Sequence, residues 1–321
     1  MAVLHEAEIE RNRRRIRVLA ALGILNYWIA AIVLTICLVL GTFVAFLFDA
    51  LDADSIGAVG SVAGSIRDHP RAWALSALTI LGVFVLIGTL VGVVLIVNRL
   101  RRVERRLLAE TGARVEPRQQ DERQVANLLE GLAISAGIPV PRFAVVDDPA
   151  PNAFVVGRKP ATALVGVTTG LVQALTRDEL EAVLAHAVSR IASLDVALST
   201  WTVAVTGRTI ELQENSDRLS VTLGLLIPRM LAERLRRYAL EGQSRQQDMV
   251  AVRFTRNPRA LLDALEKLHR DGTVVGRVSR ATAPLWFEYP AADGRGMTDR
   301  ITTVRELLRD PPPELRPATT G

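Results

Sequence analysis

The apolar pattern divides the chain into two parts. Residues 18–48 carry no charge. The core of that run, residues 27–48, is 22 residues long. As an α-helix it reaches roughly 33 Å, enough to cross a hydrocarbon layer. A second uncharged run, residues 72–98, has 27 residues and is long enough to cross with tilt. The pattern predicts two membrane helices, over about 24–48 and 72–98. The first is not a cleavable signal peptide, because its apolar stretch is too long and no small-residue cleavage site follows it. Gly88 and Gly92 form a small-xxx-small pair in the second run. The pair reads either as a helix-packing face or as ordinary glycine use in a membrane helix.

Beyond residue 106 the pattern is that of a soluble domain. Val125, Leu128, Leu129, Leu132, Ala133 and Ala136 share one helical face, and the sequence Gly137-Ile138-Pro139 stops that helix. Residues 142–146 and 153–156 read as a strand hairpin around the turn DDPAPN, and residues 163–167 as a third strand. This sheet is either plain scaffold or an edge, at Asn152, Ala153 and Phe154, that holds an extended peptide by backbone pairing. Thr176 and Glu179 fit a capping box. They open a helix on which Leu180, Val183, Leu184, Ala187 and Ile191 recur at helical spacing. His186 and Arg190 stand four positions apart on one face of it. Residues 244–254 read as a helix, and Asn257 with Pro258 opens another that runs to His269. Two weaker apolar stretches, 196–207 and 221–227, are too short to span a membrane alone. They read as buried helices, a membrane-dipping hairpin or remnants of former spans.

The expected fold class is therefore mainly α with a small β-sheet: two N-terminal transmembrane helices plus a cytoplasmic α+β domain. Its expected parts are a basic N-terminus (1–17), the two membrane helices with an extracytoplasmic loop (18–106), the domain (107–310) and a disordered, proline-rich tail (311–321).

Charge orients this layout. Arg11, Arg13, Arg14, Arg15 and Arg17 precede the first apolar run, and Arg99, Arg101, Arg102, Arg105 and Arg106 follow the second. The loop between holds Asp49, Asp52, Asp54 and Asp68 against Arg67 and Arg71. By the positive-inside rule both termini are cytoplasmic and the chain is a multi-pass protein of a cell membrane. The expected partners are the lipid bilayer and a membrane or cytoplasmic protein. Nucleic acid is not expected, since the arginines cluster beside apolar runs without aromatic interleaving. The one cysteine, Cys37, lies in an apolar run, so there is no disulfide framework and no cysteine metal site.

The stretches PNAFVVG (151–157), VTTGL (167–171), DELEAVLAHAVSRIASLD (178–195) and DMVAVRFTRNPRALLDALEKL (248–268), in that order, closely resemble the HtpX-type membrane zinc metallopeptidases. The resemblance covers roughly residues 121–308. It implies a helix carrying H-E-x-x-H, in which two histidines hold zinc and the glutamate activates the metal-bound water. It also implies a glutamate ligand from a later helix, and an aspartate one turn beyond that supports a ligand histidine.

Carried over by position, the resemblance implies a dismantled site. His186 matches the first ligand. Ala187 stands at the general-base position, Arg190 at the second histidine and Ser244 at the glutamate ligand, while Asp248 matches the supporting aspartate. Ala283 stands where a T-H-P histidine is expected. No catalytic residue is intact and no metal or other cofactor is expected. His269, the other histidine of the domain, is expected to face solvent. Arg190 is expected either to take the vacated metal position and pair with Asp248, or to reach a solvated cleft. The reading implied is a membrane-anchored pseudopeptidase, a partner- or substrate-binding regulatory or structural subunit of a membrane complex. The alternative is an active zinc endopeptidase of protein quality control with a rearranged site.

Overall fold

The computed structural model describes residues 2–49, 67–214, 226–240, 243–273, 275–276, 279–288 and 295–310. Residues 50–66 of the loop between the two apolar runs, residues 221–225 of the second weak apolar stretch and the proline-rich tail lie outside these. The chain forms two compact units, Met1–Leu19 with Arg99–Gly321, and Ala20–Asn98. The first 19 residues therefore pack with the domain rather than standing apart as a basic tail.

Helix α1 is Ala2–Asp49 and α2 is Pro70–Thr111. Neither apolar run starts its helix. The flanking Ala, Leu, Glu and Arg residues are strong helix formers and no proline interrupts them, so each helix extends into the charged flank. Among the described residues one helical segment, Gly82–Thr111, is long and apolar enough to cross a membrane. Within the smaller unit Trp28 Nε1 donates to Thr89 Oγ1 at 2.8 Å. A Cβ on Gly92 would stand 3.2 Å from the Tyr27 ring, so this glycine lies under an aromatic side chain of the neighbouring helix.

In the larger unit α3 is Gln120–Ser135, β1 Arg142–Val146, β2 Ala153–Val156 and β3 Leu164–Thr168. The sheet order is β1-β3-β2, with β1 parallel and β2 antiparallel to β3. This corrects the expected hairpin. β1 and β2 do not pair with each other; both pair with β3. Gly166 on β3 accounts for part of the arrangement, since any Cβ there would stand 2.1 Å from the Phe154 ring that covers it. Thr168 closes the other end, its Oγ1 accepting from Asn152 N at 2.9 Å.

The helices α4 (Thr169–Ala174), α5 (Arg177–Ala192), α6 (Asp195–Glu214), α7 (Leu226–Leu240), α8 (Gln243–Thr255), α9 (Pro258–Asp271) and α10 (Arg295–Arg309) complete the domain. Helix α5 opens with the expected capping box: Glu179 accepts from Thr176 N, and Thr176 Oγ1 from Glu179 N. Every residue of α5 from Ala182 onward is buried, which makes it the axis of the core. Apolar residues of α3, α5, α9, α10 and one face of the sheet pack together. The stretch 196–207 lies in α6 and is largely buried, and α5 with the first part of α6 forms a helix pair, bent by 75°, that is together long and apolar enough for a broken span or a re-entrant loop.

Candidate functional site

The site is built on the last two turns of α5 and the middle of α8. His186 is 3% exposed, and its Nδ1 lies 2.8 Å from Asp248 Oδ1. Asp248 is fully buried and bound by a second partner, Arg300 of α10. Arg300 Nε donates to Oδ2 at 2.7 Å and its Nη2 to Oδ1 at 2.8 Å. Burial pushes the Asp248 carboxyl upward, but the Arg300 charge and hydrogen bonds, helped by His186, bring it down to about 2. The carboxylate is thus ionised, which assigns the ring hydrogen of His186 to Nδ1. Burial lowers the His186 pKa and Asp248 opposes that, while the positive charges of Arg300 and Arg190 act with burial, so the imidazole is neutral in the fold.

Arg190 does not meet Asp248. It lies one turn further along α5, where the chain bends. Leu194 takes a left-handed conformation (φ 61°), and α6 leaves α5 at 75°. That bend places Asp195 against Arg190, whose Nε donates to Oδ2 at 2.7 Å. The other guanidinium nitrogens donate to Ser199 Oγ at 3.0 Å, Pro284 O at 2.9 Å and Leu285 O at 3.4 Å. Arg190 is 6% exposed, so neither the expected Asp248 pair nor a solvated cleft describes it. It is a buried ion pair that clamps the turn Ala283–Leu285, the segment in which Ala283 replaces the expected histidine.

The residues after that turn fill the remaining space. Phe287 meets the His186 ring edge-on, with centroids 4.9 Å apart. The Arg300 guanidinium lies 4.2 Å from the Phe287 ring centre and donates to Phe287 O at 2.9 Å. The same segment occupies the expected peptide-binding edge. Phe287 N donates to Ala153 O at 2.7 Å, Phe154 bridges Trp286, and Asn152 exchanges hydrogen bonds with Glu288 N and O at 3.2 and 3.0 Å. The edge at Asn152, Ala153 and Phe154 is therefore covered by the chain itself.

A zinc ion does not fit these donors. Zinc sites of hydrolases take three protein ligands and keep a place for water. Here His186 is the single imidazole, Ala187 offers no donor, and Arg190 has no lone pair and adds positive charge. Ser244 stands on α8 one turn before Asp248. His269 is exposed near the end of α9, as expected. Among the described residues no three His, Cys, Asp or Glu side chains converge.

Three residues of this site carry little or no signal in the sequence. Arg300 lies 52 residues beyond its partner and belongs to no motif. Phe287 looks like any core aromatic. Asp195, five residues after Arg190, was the one readable signal: an acid just past the helix carrying an unexpected arginine.

Residues 119–313 match peptidase family M48. A protein named Protease HtpX homolog from Dictyoglomus thermophilum is 33% identical over 228 residues, covering 63% of this chain and 74% of that protein. Another Protease HtpX homolog, from Streptococcus gordonii, is 30% identical over 234 residues, covering 65% and 78%. The crystal structure of S. mikatae Ste24p is similar at 15% identity and a TM-score of 0.41, over 81% of this chain and 66% of that one.

Proposed function

The chain belongs to peptidase family M48, and from that premise we propose that it is a non-catalytic, membrane-embedded member acting as a structural or partner-binding subunit. The observation that carries this reading is that the buried Arg190 is hydrogen-bonded through all three of its guanidinium nitrogens. At a position where the family resemblance implies a zinc-binding histidine, the guanidinium is held by Asp195, Ser199 and the carbonyls of Pro284 and Leu285. Releasing it would strand a buried carboxylate and a buried cation. The self-covered edge of β2 and the Phe287 ring against His186 support a filled cleft over one kept for substrate. The membrane part of the reading rests on the two uncharged runs. It places both termini on the cytoplasmic side, by the arginines that flank those runs.

The test is metal and protease analysis of the full chain purified in mild detergent without chelator. The expected result is zinc well below one per chain, unchanged in His186→Ala, and no chelator-sensitive cleavage of an unfolded substrate such as casein. One zinc per chain, lost in His186→Ala, with cleavage that a chelator stops, would instead establish a working peptidase with a rearranged site.

A further inference from the structure

Helix α2 leaves its apolar run at Asn98 and continues to Thr111 without a break. In that extension Leu100, Val103 and Leu107 are buried in the second core of the domain. At about 100° per residue, Arg101, Arg102 and Arg105 fall on the opposite face. All three are exposed, and among the described residues none has an ion pair or hydrogen bond. The acids of the same helix are committed elsewhere, Glu104 to Arg142 at 2.7 Å and Glu110 to Arg106 at 3.1 Å. Arg101 and Arg105 are four apart, a like-charge spacing that costs helix stability unless an outside anion offsets it.

We infer that this arginine face is a binding surface for the headgroups of anionic phospholipids. Three features fit that occupant. The face begins about 5 Å and ends about 10 Å past Asn98 along the helix, which is headgroup depth if the apolar run crosses the hydrocarbon. The run itself presents exposed Leu78, Phe84, Leu86 and Leu90, a surface suited to acyl chains. The arginines are held on a helix anchored in the core by its other face, so they form a fixed array, and each is worth about a five-fold gain in anionic-lipid association at low salt. The inference rests on the membrane placement proposed above and is independent of the loss of catalysis.

The test reconstitutes the full chain in bilayers of phosphatidylcholine alone and of phosphatidylcholine with a minority of phosphatidylglycerol. Selectivity of the protein's lipid shell is read with spin-labelled lipids. Phosphatidylglycerol should be favoured several-fold over phosphatidylcholine at low salt and the preference should collapse at high salt. The combined variant Arg101→Gln, Arg102→Gln, Arg105→Gln should lose most of it. A charge-matched control, Arg118→Gln, Arg123→Gln, Arg158→Gln, should keep it, which separates a local surface from net charge. Equal selectivity in the two variants, or a preference that survives high salt, would overturn the inference. Failure of the wild type to insert into either bilayer would overturn the membrane placement and this inference with it.

Discussion

Arg300 and Asp248 show how the site is stabilised. A buried carboxylate is tolerable only when paired, and the two-pronged contact at 2.7 and 2.8 Å, with Phe287 stacked on the guanidinium, supplies that pairing. Arg300→Ala should therefore cost about 3–5 kcal/mol, seen as a large drop in the thermal midpoint of the detergent-solubilised protein. Arg300→Lys should recover only part, because an ammonium cannot make both contacts with one geometry. If the alanine variant melted like the wild type, the pair would not be the source of the site's stability. The same logic applies to Arg190→His. The substitution restores the residue that the family resemblance implies, yet it strips Asp195, Ser199 and Pro284 O of their donor. The expected outcome is lower stability by about 3–5 kcal/mol with no gain of zinc, read by thermal unfolding and metal content. At this scale the identity of the residues was legible and their partners were not. That His186 and Arg190 share a face follows from helical spacing, while the place of Asp248 beside them is what the family resemblance implies. Whether Arg190 meets Asp248 or Asp195 depends on the left-handed turn at Leu194, which no periodicity reports.

Elements were legible where one residue type dominates a local choice. The threonine–glutamate box before α5 and the asparagine–proline start of α9 are fixed by backbone groups that need partners nearby. Strand pairing was not legible, because β2 and β3 are buried throughout and, up to Thr168, give no polar alternation to set a face or a neighbour. The entry to α3 carries the clearest pH dependence. Glu122 accepts from Arg118 N at 2.6 Å and Gln119 N at 3.1 Å, and is paired with Arg114, which is bridged to Val145 of β1. The Arg114 hydrogen bonds hold the Glu122 carboxyl at about 2 against an ordinary 4.5. A depressed carboxylate stabilises the fold above its unfolded pKa. That contribution, on the order of 3 kcal/mol at about 1.4 kcal/mol per unit, is lost as pH falls from 4.5 toward 2. Glu122→Gln should therefore lower the melting temperature at neutral pH, and the gap from the wild type should close through that window. A gap independent of pH would mean the glutamate acts by shape alone. The strand-like segment at Phe287 makes a separate prediction. Phe287→Ala removes the ring beside His186 and loosens the segment on β2, so amide exchange at residue 287 should rise several-fold while β1 stays protected.

At the scale of the whole molecule, the start of the chain is part of the domain. The sequence presents residues 1–17 as a charged leader to a membrane helix, because arginines dominate its composition. Two polar side chains on the same stretch decide otherwise. Asn12 Nδ2 donates to Ser193 O at 2.9 Å, at the C-terminal end of α5, and Glu8 accepts from Gln247 Nε2 at 3.0 Å, beside Asp248 on α8. Gln247 also donates to Ser193 Oγ at 3.1 Å and lies 2.8 Å from Ser189 Oγ. These groups are buried, so each lost partner leaves an unsatisfied atom that costs about 1–3 kcal/mol. Asn12→Ala and Gln247→Ala should each lower the thermal midpoint. Because both touch Ser193, their effects should couple by about 0.5–3 kcal/mol in a double-mutant cycle. Arg13→Gln, on the exposed side of the same helix turn, should change stability by less than about 0.5 kcal/mol. Additive effects of Asn12 and Gln247 would dissolve the network into independent contacts. Coupling would mean that the start of α1 helps to position the two helices on which His186 and Asp248 face each other.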